Sequence, residues 1–336
     1  MVQLTDAELW AEQKATKPLP AVSSDLAGKT IIVTGASNGL GLEASKHFAK
    51  MNPKKLILAC RDLNKASVAV AEIGSAAAEA WQLDLSDFKS VVAFADRVER
   101  DLERLDILVA NASIATLDLS VTGDGYEQML QVNSLSNLLL SIRLTPILLK
   151  TAKANNTVSR LVTVSSNMFY GAVLDPALVK DHANIFKAIS DPEYIKNPAV
   201  AASLYSITKL IQVCYTRTLQ EYIGQEAPLS VSCVCPGFCY SNLRSGLTGP
   251  VKEYMEQLEK ECAYTSEEGS RQLVFGAVGG DAEALKGQFV SMCRVREVSD
   301  YVLQSAELER RLWDNAVEIL SAVDTKVQST LETIAK

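Results

Sequence analysis

Lys29-Thr30-Ile31-Ile32-Val33-Thr34-Gly35-Ala36-Ser37-Asn38-Gly39-Leu40-Gly41 is an apolar run that stops at one glycine and passes through two more into a helical pattern. Ile31, Ile32 and Val33 are consecutive and β-branched, which predicts a strand buried on both faces of a parallel sheet. Beyond the glycines, Leu42, Ala44, Phe48 and Ala49 recur at helical spacing. Strand, glycine turn and helix in that order make the opening unit of a doubly wound, Rossmann-type α/β sheet. Glycines in such a turn let a pyrophosphate approach the backbone of Gly35, Ser37, Asn38, Gly39, Leu40 and Gly41. The helix N-terminus beyond it supplies unpaired N–H groups and the positive end of a dipole. A tight turn that binds nothing is the plainer reading of the same string.

Outward from this unit the strands repeat. Lys55 to Ala59 predicts the second strand, which delivers Cys60-Arg61-Asp62 to the place where an adenosine ribose is read, about twenty residues past Gly41. An acidic side chain there would bond the 2′-hydroxyl of NAD, whereas Arg61 has the fork of donors that suits the 2′-phosphate of NADP. Asp62 pulls the other way, since it could pair with Arg61 or repel the phosphate. Ala80 to Leu83 and Ile107 to Ala110 predict strands three and four, which end at Asp84-Leu85-Ser86 and at Asn111-Ala112-Ser113. Asp84 reads as the N-cap of the next helix. Asp124 and Glu127, at capping-box spacing, open a long helix that carries Asn133 among leucines, where a buried amide must be bonded. Arg160 to Val164 predicts strand five, ending at Ser165-Ser166. Leu229 to Val234 predicts strand six, and Gly287 to Val290 the last of about seven parallel strands. Leu308, Leu312, Trp313, Ile319 and Leu320 form an amphipathic C-terminal helix expected to cover the sheet edge.

Tyr205 and Lys209 lie four residues apart on a helix, which puts them on one face about 6 Å apart. An ammonium beside a phenol favours the phenolate and so moves the tyrosine towards acid–base work near neutral pH. Tyr-x-x-x-Lys alone is common by chance. Here it follows the glycine turn, the asparagine helix and a strand-end serine, and with those elements the chain resembles the short-chain dehydrogenases and reductases over roughly residues 27 to 295. A long stretch of 38 residues between Ser166 and Tyr205 is similar to the retinol dehydrogenase-like and protochlorophyllide reductase-like members.

The resemblance implies an NADP(H)-dependent oxidoreductase in which Tyr205 exchanges a proton with the substrate oxygen and Ser166, the second serine of its pair, holds that oxygen. It implies that Lys209 lowers the tyrosine pKa and bonds the nicotinamide ribose, and that Asn133 kinks its helix and holds a water linking the lysine to solvent. It further implies Asp84 and Leu85 beside the adenine, Asn111 at the ribose, and Pro236, Gly237 and Ser241 at the nicotinamide. Ser113 departs from the pattern, standing where the family writes glycine. Residues 167–204 form an insertion whose Phe169, Tyr170, Phe186 and Tyr194 shape an apolar pocket or pack outside as a flap. Residues 243–286 fall where the family has a substrate lid. Reduction of a ketone, aldehyde or quinone of a bulky apolar molecule is the implied reaction. A non-redox acid–base enzyme and an NADP-binding regulator are the alternatives.

The 336 residues, 48% hydrophobic and 22% charged, suit one globular domain over residues 29–295, with an N-terminal arm over 1–28 and a helical extension over 296–336. A net charge of −7 argues against nucleic acid and anionic membrane as partners. Seven cysteines without a Cys-x-x-Cys pair, and only His47 and His182 as histidines, leave poor material for a metal. Cys233 and Cys235 are expected on opposite faces of a strand and so not in a disulfide. No secretion signal and no run of about 18 apolar residues is apparent. A cytoplasmic monomer or homodimer is the expectation.

Overall fold

The computed structural model describes residues 4–16, 18–116, 119–241, 243 and 249–335. Eight strands form one sheet, β1 (Thr30–Thr34), β2 (Lys55–Cys60), β3 (Ala78–Gln82), β4 (Ile107–Ala110), β5 (Ser159–Val164), β6 (Leu229–Cys235), β7 (Phe289–Ser291) and β8 (Arg294–Arg296). Their order is β3-β2-β1-β4-β5-β6-β7-β8. The first seven are parallel, as expected, and an eighth, unanticipated strand returns antiparallel on β7 through a two-residue turn at Met292-Cys293. β3 begins two residues earlier and β7 two residues later than the pattern suggested. In this order β1 pairs with β2 on one side and β4 on the other. The winding reverses there, opening a crevice at the carboxyl ends of β1 and β4.

The β-branched run behaves as its composition requires. All five residues of β1 are buried. Ile32 faces one apolar core, and Ile31 and Val33 face the other. Cys233 and Cys235 correct an expectation, because residues two apart on a strand share a face. Both lie in the larger core, while Val234 between them faces the smaller one. All seven cysteines are free thiols.

Helices cover both faces: α1 (Asp6–Ala15), α2 (Gly39–Ala49), α3 (Leu63–Ile73) and α4 (Phe88–Asp101), then a long composite helix. It begins as α5 (Gln128–Leu130), passes through a π-helical turn at Gln131–Leu135 and continues as α6 (Ser136–Asn155). Asp124 does not cap it. Glu127 does, accepting from Leu130 N, while Asp124 accepts from Phe88 N at the start of α4. The whole span Gln128–Asn155 is long and apolar enough to cross a membrane, yet 89% of its most apolar window is buried inside the fold, as a core helix requires.

The insertion folds as α7 (Pro176–Asp181), α8 (Ile185–Ile189) and α9 (Pro192–Ile195), ahead of the 26-residue α10 (Pro198–Ile223). α11 (Gly249–Cys262) and α12 (Ser266–Val278) follow β6, and α13 (Asp300–Leu303), α14 (Ala306–Val323) and α15 (Lys326–Ile334) end the chain. The C-terminal helices do not cover the sheet edge, which β8 occupies. They lie on the helical layer, α14 on α10 and α15 on α6. Leu308, Leu312, Trp313, Ile319, Val327 and Leu331 are there continuous with the larger core.

Candidate active site

At the carboxyl end of β1 the glycine turn has the shape of a phosphate cradle. Gly39 takes a left-handed φ of +54°, and a Cβ built on it meets nothing within 4 Å, so this side of the turn is open. Gly41 is glycine for the opposite reason, since a Cβ there would come within 2.5 Å of Gly35 O and 2.7 Å of Asn111 Nδ2. Asn38 caps α2 by its backbone conformation and makes no side-chain hydrogen bond to it, which leaves the first-turn N–H groups without a side-chain acceptor. These features fit the pyrophosphate of a dinucleotide. Asn111 braces the turn from β4, donating to Thr34 O at 2.9 Å, and Ala112 N donates to Thr34 Oγ1.

The end of β2 resolves the Arg61-Asp62 conflict. Asp62 is the N-cap of α3, its Oδ1 accepting from Asn64 N and Lys65 N, so its carboxylate is engaged by backbone. Arg61 is exposed and has no ion-pair partner among the described residues. At the end of β3, Asp84 is not the N-cap of α4; Asp87 is, accepting from Lys89 N. Asp84 instead accepts from Ser86 N and Ser86 Oγ in a local turn, half-buried, while the Leu85 side chain is buried and its carbonyl accepts from Ser136 Oγ.

Lys209 is almost wholly buried, and its Nζ donates three hydrogen bonds of 2.9 Å each, to Ser113 Oγ, Val164 O and Gln212 Oε1. Burial pushes its pKa down to about 7, a shift the nearby Cys233 and Cys235 only partly oppose. Desolvation penalises the ammonium, and three neutral acceptors do not restore what water supplied. The Nζ sits 5.5 Å from the centroid of the half-buried Tyr205 ring. The two serines of the pair differ. Ser165 is buried and its hydroxyl donates to Lys209 O, whereas Ser166 is half-buried and its Oγ accepts from Met168 N. Ser166 Oγ donates to no group among the described residues. Asn133 lies in the π-helical turn. Its side chain accepts from Ile114 N and donates to Ile114 O and Thr208 Oγ1, tying the loop after β4 to α10.

Beyond β6, Gly237 has a φ of +82°, and Phe238 is held by a residue of the N-terminal arm. Gln13 on α1 is buried; its Oε1 accepts from Phe238 N at 2.8 Å, and its Nε2 donates to Phe238 O and Cys262 O at 2.7 Å. Pro236 O accepts from Cys239 Sγ, and Ser241 Oγ accepts from Leu243 N. The segment read as a lid divides in two. α11 lies against α1, but α12 packs on α2 and the sheet, with Leu273, Val274 and Ala277 in the smaller core, so it belongs to the scaffold. Residues 242 and 244–248 of that segment lie outside the described residues. Phe169, Tyr170 and Phe186 of the insertion are core residues rather than pocket walls; Phe169 and Tyr170 stack on each other and both meet Phe289 edge-on. The half-buried Tyr194 packs at the edge of the same core.

The hydrogen-bonding roles of Ser113, Thr208, Gln212 and Gln13 escaped the sequence reading. Ser113 was visible as a departure from the family pattern, and Thr208 and Gln212 share a helix with Tyr205. Gln13 carried no signal at all, being 225 residues from its partner Phe238.

A doubly wound sheet with an open glycine cradle at its switch point, and a buried lysine one helical turn from a tyrosine, defines a nicotinamide dinucleotide-binding oxidoreductase. The family model for short chain dehydrogenase matches residues 29–174. A "Short chain dehydrogenase/reductase dmxR8" of Cryptosporiopsis sp. (strain 8999) is 31% identical over 322 residues, 93% of this chain and 97% of the relative. Among solved structures, an uncharacterized protein from Mycobacterium Paratuberculosis superposes with a TM-score of 0.66 at 25% identity, over 91% of this chain and 97% of its own. A 3-ketoacyl-(acyl-carrier-protein) reductase from Brucella melitensis, complexed with NADH, shares the fold at a TM-score of 0.58 and 21% identity, over 80% of this chain and 97% of its own. The chain belongs to the short-chain dehydrogenase/reductase family.

Proposed function

We propose that the protein is an NADP(H)-dependent reductase of a ketone, aldehyde or quinone carried by a bulky apolar small molecule. The observation that carries the reading is the buried Lys209 one helical turn from Tyr205, its Nζ 5.5 Å from the Tyr205 ring. A cation held there stabilises tyrosinate, so Tyr205 gives its proton to a carbonyl oxygen more readily than a free phenol would. Ser166, whose hydroxyl donates to no group among the described residues, donates to the same oxygen. The cofactor, when bound, supplies the hydride.

The glycine turn from Gly35 to Gly41 would hold the pyrophosphate, Asp84 and Leu85 the adenine, Asn111 the adjacent ribose, and Pro236, Gly237 and Ser241 the nicotinamide. Arg61, exposed and unpaired among the described residues, favours a 2′-phosphate, because Asp62 is occupied with α3. All three N–H groups of Lys209 are committed within the chain, so a bond to the nicotinamide ribose requires one present partner to give way. Met168, Val173, Tyr240 and Tyr254 are exposed apolar residues that follow Ser166 or flank Ser241 in the chain, which suits an apolar substrate. Reduced thiols accord with a cytoplasmic location. No feature favours dimer over monomer, and the retained Tyr205 and Lys209 weigh against a regulator without turnover.

Single-turnover NADPH oxidation, with a panel of ketones of increasing bulk, tests this. Tyr205→Phe should keep the fold and NADPH affinity while hydride transfer falls by a factor on the order of 100 to 10,000. Near wild-type transfer in that variant would move the non-redox acid–base reading ahead.

A further inference from the structure

β5 and β6 part at the active-site end of the sheet. Val164 and Val234 are their last register partners, and Ser165 N donates to Val234 O at 2.9 Å just past them. From there β5 leads into Ser166 and Asn167, and β6 leads into Pro236 and Gly237, the loop expected at the nicotinamide. Pro236 has no N–H with which to extend the ladder. A side chain takes over. Cys235, the final residue of β6 and only 1% exposed, accepts at Sγ from Asn167 N at 3.2 Å and from Gly237 N at 3.3 Å. Both distances exceed the roughly 2.9–3.0 Å usual for N–H···O, as a larger acceptor atom requires. One sulfur thus holds the backbone on both sides of the gap.

We infer that Cys235 is a positioning residue whose sulfur sets the separation of the Ser166 loop from the Gly237 loop. Its own backbone is fixed by the sheet, since Cys235 pairs in register with Ser291 of β7. On the β5 side the bond reaches the first residue of the 3-10 turn Asn167–Gly171, which Ser166 caps through Met168 N, so holding Asn167 also holds Ser166. A thiol is a weak acceptor, and the consequence is geometric more than energetic. Burial pushes the Cys235 pKa up, which keeps the sulfur a neutral thiol in this role. The use of the link rests on the proposed reaction. Hydride passes from the nicotinamide to a carbonyl carbon whose oxygen Ser166 and Tyr205 hold, so the two loops carry opposite sides of the reacting pair. Reacting atoms must come within about 3–3.5 Å, and a misplacement of about 1 Å can cost on the order of a hundredfold in rate.

The direct test needs no substrate. Hydrogen–deuterium exchange at the backbone amides of Asn167 and Gly237 is followed by 15N NMR in the full-length protein and in Cys235→Ala, Cys235→Val and Cys235→Ser. Valine fills the space of the cysteine without an acceptor, whereas serine keeps an acceptor. Both amides should exchange about tenfold faster or more in the alanine and valine variants and regain protection with serine. Unchanged exchange at either amide in Cys235→Val overturns the inference. A second readout is single-turnover NADPH oxidation with the ketone that wild type reduces fastest. Hydride transfer in Cys235→Val should fall by about 10- to 100-fold, with the ketone KM within about threefold of wild type and the rate partly restored by serine. A lower Tm with wild-type hydride transfer would make Cys235 merely structural and overturn its positioning role. Failure of wild type to oxidise NADPH at all would sink the reaction and leave the amide exchange to judge the link.

Discussion

Arg61 and Ser166 show how a single residue's role depends on what its neighbour is doing. Asp62 spends its carboxylate on the α3 N-terminus, so Arg61 at the end of β2 has no ion-pair partner among the described residues. Arg61→Asp is expected to weaken NADPH binding by about 2 to 3 kcal/mol, the worth of a charge-assisted phosphate contact, and to spare NADH. Titration of both nucleotides checks this, and equal losses would contradict it. The same logic separates Ser165 from Ser166, identical in the sequence. One hydroxyl is already donated to Lys209 O, and the other is not.

Among the elements, α1 does more than an arm packed on the outside would do. Its start is a capping box formed by Thr5 and Glu8. Its far end is a clamp. Gln13 pairs both of its amide ends with the loop after β6 and the end of α11; Trp10 meets Phe238 edge-on at 5.1 Å, and Glu12 pairs with Arg294 and Arg296 of β8. Gln13→Ala would remove three hydrogen bonds, to Phe238 N, Phe238 O and Cys262 O, while Phe238 O keeps its bond from Tyr264 N, at a cost of about 1 to 3 kcal/mol. A lower Tm is expected, together with weaker nucleotide binding, because the loop that carries Gly237 and Ser241 loses its brace. A variant that lost stability but bound NADPH as wild type would show that the clamp serves the fold alone.

Across the whole molecule, the C-terminal helices are bound to the helical layer by charge as well as by apolar contact. Arg143 on α6, its side chain fully buried, reaches Asp324 ahead of α15 and, at 2.8 and 2.7 Å, Asp96 and Glu99 on α4, which Lys326 also contacts. Removing one partner of a buried pair typically costs 3–5 kcal/mol. Asp324→Ala should cost less, about 1 to 3 kcal/mol, because two carboxylates still face the guanidinium. Urea denaturation measures the difference, and no change in midpoint would mean that apolar packing alone holds the helices. Nucleotide affinity should be unaffected, since the network lies outside the proposed cofactor cradle.

The sequence by itself determined the doubly wound sheet, the glycine turn, the strand-end serine pair and the Tyr205-Lys209 face. Those are local facts, set by β-branched runs, glycine positions and an i, i+4 spacing within one helix. The antiparallel β8 escaped it because a three-residue strand carries no periodic signal. The aromatics of the insertion were misread because hydrophobicity shows that a side chain will be covered and not by what. Tertiary structure alone decided which serine donates to Lys209 O, what Asp62 caps, which groups hold Lys209 and that Gln13 reaches Phe238. Each of these is a competition for hydrogen-bond partners between segments far apart in the chain. A buried polar group must find a partner wherever the fold brings one, so its role is settled only when the fold is.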